Sequence, residues 1–408
     1  MADGRTEQLF VGVDWGSKSN EACMINEAGD HIGRLEFESN GSGIHRLIDW
    51  ILGHAGKRLE RLKVGIERPR GPIVETLLER NVSVFSINPK QLDRFRDRFG
   101  VAPAKDDKRD ARVLADSLRT DERAYRRIEP RPALLVELSE WTRTARDLTQ
   151  QLVAQNNRFA AQLHRYYPEF LAVSASLNVE WVRALWEPIP TPAHAQTARK
   201  AMVTKVLRKN RARKLTADDA LSILQTEPVS VAPGTTDAAT AHIRLLLESI
   251  RLLDAQRRHA RKEIDRCLLA LQKEQRDVKI LQSLPGVGRT ILATLLAEAS
   301  EPLARRDYHA LRALTGAAPV TRQSGKTRTV SMRRACQPAL RDAIYHWARI
   351  ASMHDPHSKA RYRALRARGK SHARSLRALA DRLMLVACKI LEKQVEFDPN
   401  HQMTPVRA

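Results

Sequence analysis

Two long apolar stripes at helical spacing constrain this chain most. Over residues 134–166, Leu138, Trp141, Ala145, Leu148, Leu152, Phe159 and Leu163 recur mostly three or four positions apart; over roughly 243–272, Leu246, Ile250, Leu253, Ala260, Ile264, Leu268 and Leu271 do the same. Such a stripe must face a partner, so the pattern predicts two long helices that pair after an intervening excursion. Paired within one chain they form an antiparallel spacer; paired between chains they make a coiled-coil dimer.

Ahead of the first stripe, short apolar runs end in acids. LFVGVDWGSK reads as a buried strand with Asp14 at its edge, and Gly12 and Gly16 allow close backbone approach there. ACMINEAG and HIGRLEFES give two further strands with a turn at Gly29-Asp30, GIHRLIDWILG a covering helix, and RLKVGIE a strand with Glu67 at its carboxyl end. Pro69-Arg70-Gly71-Pro72 breaks the chain before the helical PIVETLLERN and the strand VSVFSINP. Two helical segments follow, KQLDRFRDRFG and DKRDARVLADSLR, joined by the irregular VAPAKD. This order predicts a mixed α/β domain.

Asp107 and Asp110, three residues apart, share one face of a helix, where they could meet the acids at two strand ends. Repulsion in such a cluster is relieved by divalent cations such as Mg²⁺, and a two-metal centre can activate an attacking oxygen and stabilise a leaving one at phosphorus. Asp106, four residues before Asp110, shares that face as well, so spacing leaves both neighbours open. The ordinary alternative is a set of solvated surface acids. Lys18 and Lys105 are candidate phosphate contacts, with plain surface placement as the alternative. Gly12-Val13-Asp14-Trp15-Gly16 lacks a GxGxxG or GxxxxGKS/T frame, so it is a poor nucleotide-loop signal.

Between the stripes, Pro188, Pro190 and Pro192 precede a basic run from Arg199 to Lys214 that contains no acid, a phosphate-binding patch or else a solvated helical face. EPVSVAPGTTDAAT is expected to be a loop or hinge. Past the second stripe, SLPGVGRTILATLLAEA places Gly286, Gly288 and Arg289 at a turn before an apolar helix. This is a helix-hairpin-helix-like phosphate contact, or else a tight join between packed helices. In AAPVTRQSGKTRTVS, Ser324 and Gly325 mark a compact polar turn among Arg322, Lys326 and Arg328, a setting that can hold a hydroxyl beside phosphate. A nucleophilic serine needs a base or metal to take its proton, and no local triad is present. Residues 359–377 form a second basic run without Asp or Glu. His354 and His357 alone do not make a zinc site. LRALADRLMLVACKILEK reads as a packed amphipathic helix and QMTPVRA as a loose tail.

Charge supports a polyanionic partner: 70 Lys and Arg oppose 47 Asp and Glu, a formal net charge of +23. Charge alone does not separate DNA, RNA and an acidic membrane. Aromatic residues make up only 5% of the chain, which favours backbone contacts over broad base stacking. The four cysteines lack CxxC spacing, so buried free thiols are expected rather than a disulfide framework or zinc module. The opening residues lack a signal-like apolar segment and no run reaches transmembrane length, so a cytoplasmic protein without membrane contact is expected.

GVDWGSK around Asp14, VGIE around Glu67, AKDDKRDA with Asp107 and Asp110, LPGVGRTILATLLAE, and TRQSGKTRTVSMRRACQPALRDA around Ser324 occur in an order that resembles the insertion-sequence-110 family of transposases over most of the chain. Two positions depart from that family's usual pattern: Asp106 replaces a smaller polar residue, and Arg334-Ala335-Cys336 replaces an Arg-Gly-Asn-like turn. The resemblance implies a RuvC-like (RNase H-like) α/β amino-terminal DEDD domain over 1–130, a helical coiled-coil spacer with a basic insertion over 131–275, and a mainly α-helical, serine-containing transposase domain over 276–398. It implies Asp14, Glu67, Asp107 and Asp110 as acidic, metal-binding residues with Mg²⁺, and Ser324 as the nucleophile. It also implies a recombinase guided by a structured noncoding bridge RNA to donor and target DNA, assembling as a dimer or tetramer in a prokaryotic cytoplasm at the nucleoid. The other enzymatic reading is a RuvC-like, Mg²⁺-dependent, structure-selective DNA endonuclease; a noncatalytic nucleic-acid-binding assembly protein is the third.

Overall fold

In the computed structural model, residues 7–16, 18–56, 58–98, 107–213, 215–325 and 327–399 are described. The segment VAPAKD, with Lys105 and Asp106, lies outside them, as do Lys214, Lys326 and the QMTPVRA tail. The chain divides into two compact units, Met1–Arg131 and Pro132–Ala408.

The first unit is a mixed α/β domain. Its strands β1 (Leu9–Trp15), β2 (Ser19–Ile25), β3 (His31–Glu38), β4 (Leu62–Ile66), β5 (Ser83–Ser86) and β6 (Arg126–Ile128) form one sheet in the order β3-β2-β1-β4-β5-β6. β1 pairs parallel to β4 and β4 to β5, whereas β2, β3 and β6 run antiparallel to their neighbours. Helices cover both faces of the central strands, which is why LFVGV is continuously apolar rather than alternating. On one face Val11, Val13, Val64 and Ile66 pack with Leu47 and Ile51 of α1 (Gly41–Ala55) and Val74 and Leu77 of α2 (Pro72–Glu79). On the other, Phe10, Cys23 and Phe85 pack with Leu92 and Phe95 of α3 (Pro89–Arg96) and Leu114 and Leu118 of α4 (Asp107–Asp121). β6, which no apolar run announced, is a three-residue edge strand exposed at Arg126 and Arg127.

The second unit is built on the two long stripes. α5 (Ala133–Tyr166) leads through α6 (Glu180–Trp186), α7 (Pro192–Gln196), α8 (Lys200–Lys209) and α9 (Ala217–Leu224) to α10 (Thr235–Glu274). Leu135 and Leu138 at the start of α5 share a core with Leu268 and Leu271 at the end of α10, while Phe159 and Leu163 share another with Ile243 and Leu246. The pair is therefore antiparallel within the chain, as the intramolecular alternative required. α10 begins at Thr235, so the last six residues of EPVSVAPGTTDAAT are helical rather than loop; Ala239 and Thr240 are buried there, and packing outweighs the turn signals.

α6 to α9 close the core at one end of the helix pair. The other end is closed by α11 (Arg276–Ser283), α12 (Arg289–Ala304), α13 (Tyr308–Leu314), α14 (Pro338–His354), α15 (Pro356–Ala367) and α16 (His372–Lys393). The one β element of this unit among the described residues is the hairpin of β7 (Val320–Ser324) and β8 (Thr327–Ser331). Cys23, Cys267 and Cys388 are buried free thiols, whereas Cys336 is half-buried. Burial pushes the Cys388 thiol up to about 11, with the Glu392 and Asp307 charges adding to it. No helix among the described residues is long and apolar enough to cross a membrane.

Candidate active site

Sheet register sets the first two acids side by side. Val13 of β1 pairs with Ile66 of β4, the last pair of that parallel ladder, and the next residues are Asp14 and Glu67. The alternation of β1 then turns Asp14 toward the face covered by α3 and α4, because Val13 faces the opposite core, and Glu67, just past the end of β4, lies close enough to Arg96 of α3 for its charge to act there. Both acids are half-buried.

α4 brings the third acid across this face. It lies on Gly12 so closely that a Cβ there would overlap the Ala111 carbonyl oxygen and stand 2.5 Å from the Ala115 nitrogen. A second glycine, Gly65, lies under the same helix beside the Leu114 carbonyl. Two adjacent strands thus leave a groove free of side chains, which admits the helix backbone. Ala111 rests over Gly12, one pleat from Asp14, and carries its neighbour Asp110 into the interior at 2% exposure. Asp107, at the start of α4, is exposed; Asp106 lies outside the described residues.

Asp110 is held by a cation that spacing did not reveal. Arg96 of α3 donates from Nε to Oδ1 at 2.6 Å and from Nη2 to Oδ2 at 2.9 Å, and its Nη1 donates to Asp93 at 2.7 Å. Burial works against the Arg96 charge, but the hydrogen bond and charge of Asp110, with the charges of Asp93 and Glu67, outweigh it and hold the guanidinium above its usual range. Across the β1–β2 ladder Asp14 faces Glu21, a buried acid gripped by Arg34 at 2.6 and 2.8 Å. Arg96 and Glu21 are the two site residues the sequence reading missed. Arg96 is one of several arginines on an ordinary helical segment, and the only hint of Glu21 was its place in the strand paired with Asp14.

These carboxylate oxygens are of the type a hard divalent cation takes, so the donor chemistry fits. Among the described residues, no three Asp, Glu, His or Cys groups gather as a ligand set. The positive charge at Asp110 is supplied by Arg96.

Ser324 belongs to the other unit. The polar turn proves to be the end of a β-hairpin: Ser324 pairs with Thr327, and Gly325 at φ +54° enters the turn. From Thr321 to Ser331 every described residue is exposed. Register sets Arg322, Ser324, Thr327 and Thr329 on one face of the ribbon and Gln323 with Arg328 on the other, so Arg322 shares the serine's face and Arg328 does not. The hairpin was illegible as strands because TRQS and TRTVS have no apolar face to alternate.

The remaining candidates divide. In the Pro-Gly-x-Gly turn, Gly286 has φ +82°, and a Cβ there would stand 2.8 Å from the Ala351 nitrogen and 3.0 Å from the Trp347 carbonyl oxygen. Trp347 Nε1 also donates to the Pro285 carbonyl at 2.9 Å. Close joining of helices therefore accounts for Gly286, while Arg289 is exposed and paired with Asp265 at 2.7 Å. On α8, Val203 and Leu207 face the core and leave Lys200, Lys205, Arg208 and Lys209 in water; Lys200 is paired with Asp218 at 2.6 Å. Lys18, His354 and His357 are exposed.

Comparison with known proteins follows the same division. A family model described as transposase, for the DEDD transposase of IS110, matches residues 11–168, and one described as transposase of the IS116/IS110/IS902 family matches 278–363. The chain is 41% identical over 218 residues to the protein named transposase y4uE of Sinorhizobium fredii, a stretch covering 53% of this chain and 61% of that relative. It is 29% identical to the mini-circle protein named as a transposase for IS117 in Streptomyces coelicolor, across 98% of this chain and 97% of the relative. It is 25% identical, over 93% of each chain, to an uncharacterized 43.6 kDa protein of the insertion element IS110 in the same organism.

Proposed function

The chain belongs to the IS116/IS110/IS902 transposase family, and from that premise we propose that it exchanges DNA strands through a covalent link to Ser324. The observation that supports this most is the place of Ser324, exposed at the end of the β7–β8 hairpin on the same face as Arg322 and within residues 278–363, which the second family model matches. In this reading the first unit is RNase H-like, a reading its strand order supports. The functional division runs 1–130, 131–275 and 276–398.

Ser324 Oγ attacks a DNA phosphorus; the P–Oγ bond forms as the bond to O3′ breaks, and the proton lost from Oγ is balanced by the one O3′ gains. One phosphodiester replaces another, so the link keeps its energy for rejoining. A 3′-hydroxyl from the exchanged strand then attacks the same phosphorus and releases Ser324. Arg322, on the serine's face of the ribbon, steadies the phosphate oxygens. Asp14, Glu67, Asp107 and Asp110 are the residues that would hold Mg²⁺, and the ion would supply charge stabilisation for the transfer. The described residues from Thr321 to Ser331 are exposed, which would let Ser324 enter a site made by another copy in a dimer or tetramer.

Sequence choice comes from a structured bridge RNA paired with donor and target DNA, consistent with a basic, aromatic-poor chain suited to backbone phosphates rather than to base reading. The protein then works in a prokaryotic cytoplasm at the nucleoid. One observation favours the simpler endonuclease reading: Asp14, Glu67 and Asp110 lie in a unit compact by itself.

Purified protein incubated with RNA from its native flanks, matched donor and target DNA and Mg²⁺ decides between the two. A protein–DNA adduct mapped to Ser324 by mass spectrometry is expected. Cleavage without an adduct, undiminished in Ser324→Ala, overturns the serine mechanism in favour of direct hydrolysis.

A further inference from the structure

Three rings from three helices meet on the surface of the second unit. Tyr345 comes from α14, Tyr362 from α15 and His372 from the first turn of α16. The imidazole stands nearly edge-on to both phenols, its centroid 6.5 Å from Tyr345 at 86° and 5.9 Å from Tyr362 at 82°. The Tyr362 hydroxyl lies 2.8 Å from His372 Nδ1, and that of Tyr345 3.5 Å from Nε2. Tyr362 packs against the core and so fixes the imidazole in place. Tyr345, 39% exposed, and His372 remain open to water.

This arrangement stands out in an aromatic-poor chain that buries Trp186, Trp347, Tyr166 and Tyr167 almost completely. The surroundings are as informative as the rings. No Asp or Glu occurs from Pro356 to Ala380, and Arg363, Arg366, Lys370 and Arg374 are exposed along that stretch. Asp355, just before it, is buried and accepts from the Ser358 N–H of α15. Asp342, one turn before Tyr345, is the acid nearest to that ring along α14. Tyr345, which also meets the His346 ring at 5.5 Å, and His372 are exposed beside a stretch of exposed cations, a combination that matches the chemistry of an unpaired strand, whose bases stack and whose phosphates need cations. A duplex hides the faces of its bases, so it does not satisfy the rings.

We propose that Tyr345 and His372, held by Tyr362, form a stacking site for the bases of a single-stranded nucleic acid. The proposal rests on the nucleic-acid reading above but not on the chemistry of Ser324.

Full-length protein is irradiated with short 5-iodouracil-bearing RNA and DNA strands, the adducts are mapped, and affinities are measured beside an abasic strand of the same length. Adducts at Tyr345 or His372 are expected, with ribose and deoxyribose arms showing which strand is preferred. Tyr345→Ala with His372→Ala should weaken binding of base-bearing strands about tenfold or more, leave the abasic strand unchanged, and contrast with Tyr345→Phe, which keeps the ring and stays within about twofold. Thermal midpoints confirm that each variant is folded, and the cross-link map on unaltered protein decides independently if one is not. Adducts confined to other surfaces, or equal losses on base-bearing and abasic strands, overturn the site while leaving a nucleic-acid enzyme intact. Absence of binding to every strand overturns both.

Discussion

Arg96 grips both oxygens of Asp110, so neither residue can be changed without leaving the other short of a partner. Asp110→Ala strands a guanidinium whose side chain is only 23% exposed, with Asp93 as its remaining anchor. A loss of about 1–3 kcal/mol is expected, read as a lower urea midpoint at unchanged slope. A midpoint equal to that of the parent would mean that the pair contributes nothing net. Asp110 was legible because a buried-face position on α4 coincided with the family's motif. Arg96 was not, since it stands 14 residues away on another helix and no periodicity links the two.

The contact between α4 and the sheet carries the acid site, and it depends on missing side chains. Gly12→Ala would drive a Cβ into the helix backbone, which cannot rotate aside, so a loss of about 3 kcal/mol or more is expected. Gly65→Ala meets chiefly the tip of Ile87 at 2.9 Å, a side chain able to move, and should cost about 1 kcal/mol. Equal losses in thermal unfolding would show that α4 does not discriminate the two strands. At this scale most elements were readable, because buried strands and packed helices repeat their apolar residues locally. The β7–β8 ribbon and β6 escaped because exposed strands carry no such repeat, and the start of α10 escaped because turn residues were overridden by burial of Ala239 and Thr240.

For the whole molecule, the proposed serine and the proposed acids occupy different compact units of one chain. If Ser324 from one copy serves the acids of another, mixing Ser324→Ala with Asp107→Ala protein should restore strand exchange that neither variant performs alone. Properly assembled mixed oligomers that never recover exchange would reject a shared site. By itself the sequence determined most of the element types, the antiparallel potential of the two stripes and the order of the chemical motifs, because periodicity, turn residues and charge runs are local properties of a chain. Only the tertiary structure decided that Val13 pairs with Ile66 and so joins Asp14 to Glu67, that α4 sinks onto Gly12, that Arg96 closes on Asp110, and that Tyr345, Tyr362 and His372 converge. Each of these is a contact between distant residues, set by which strands pair in what register and by how helix surfaces pack, and the local pattern of one segment does not name its partner.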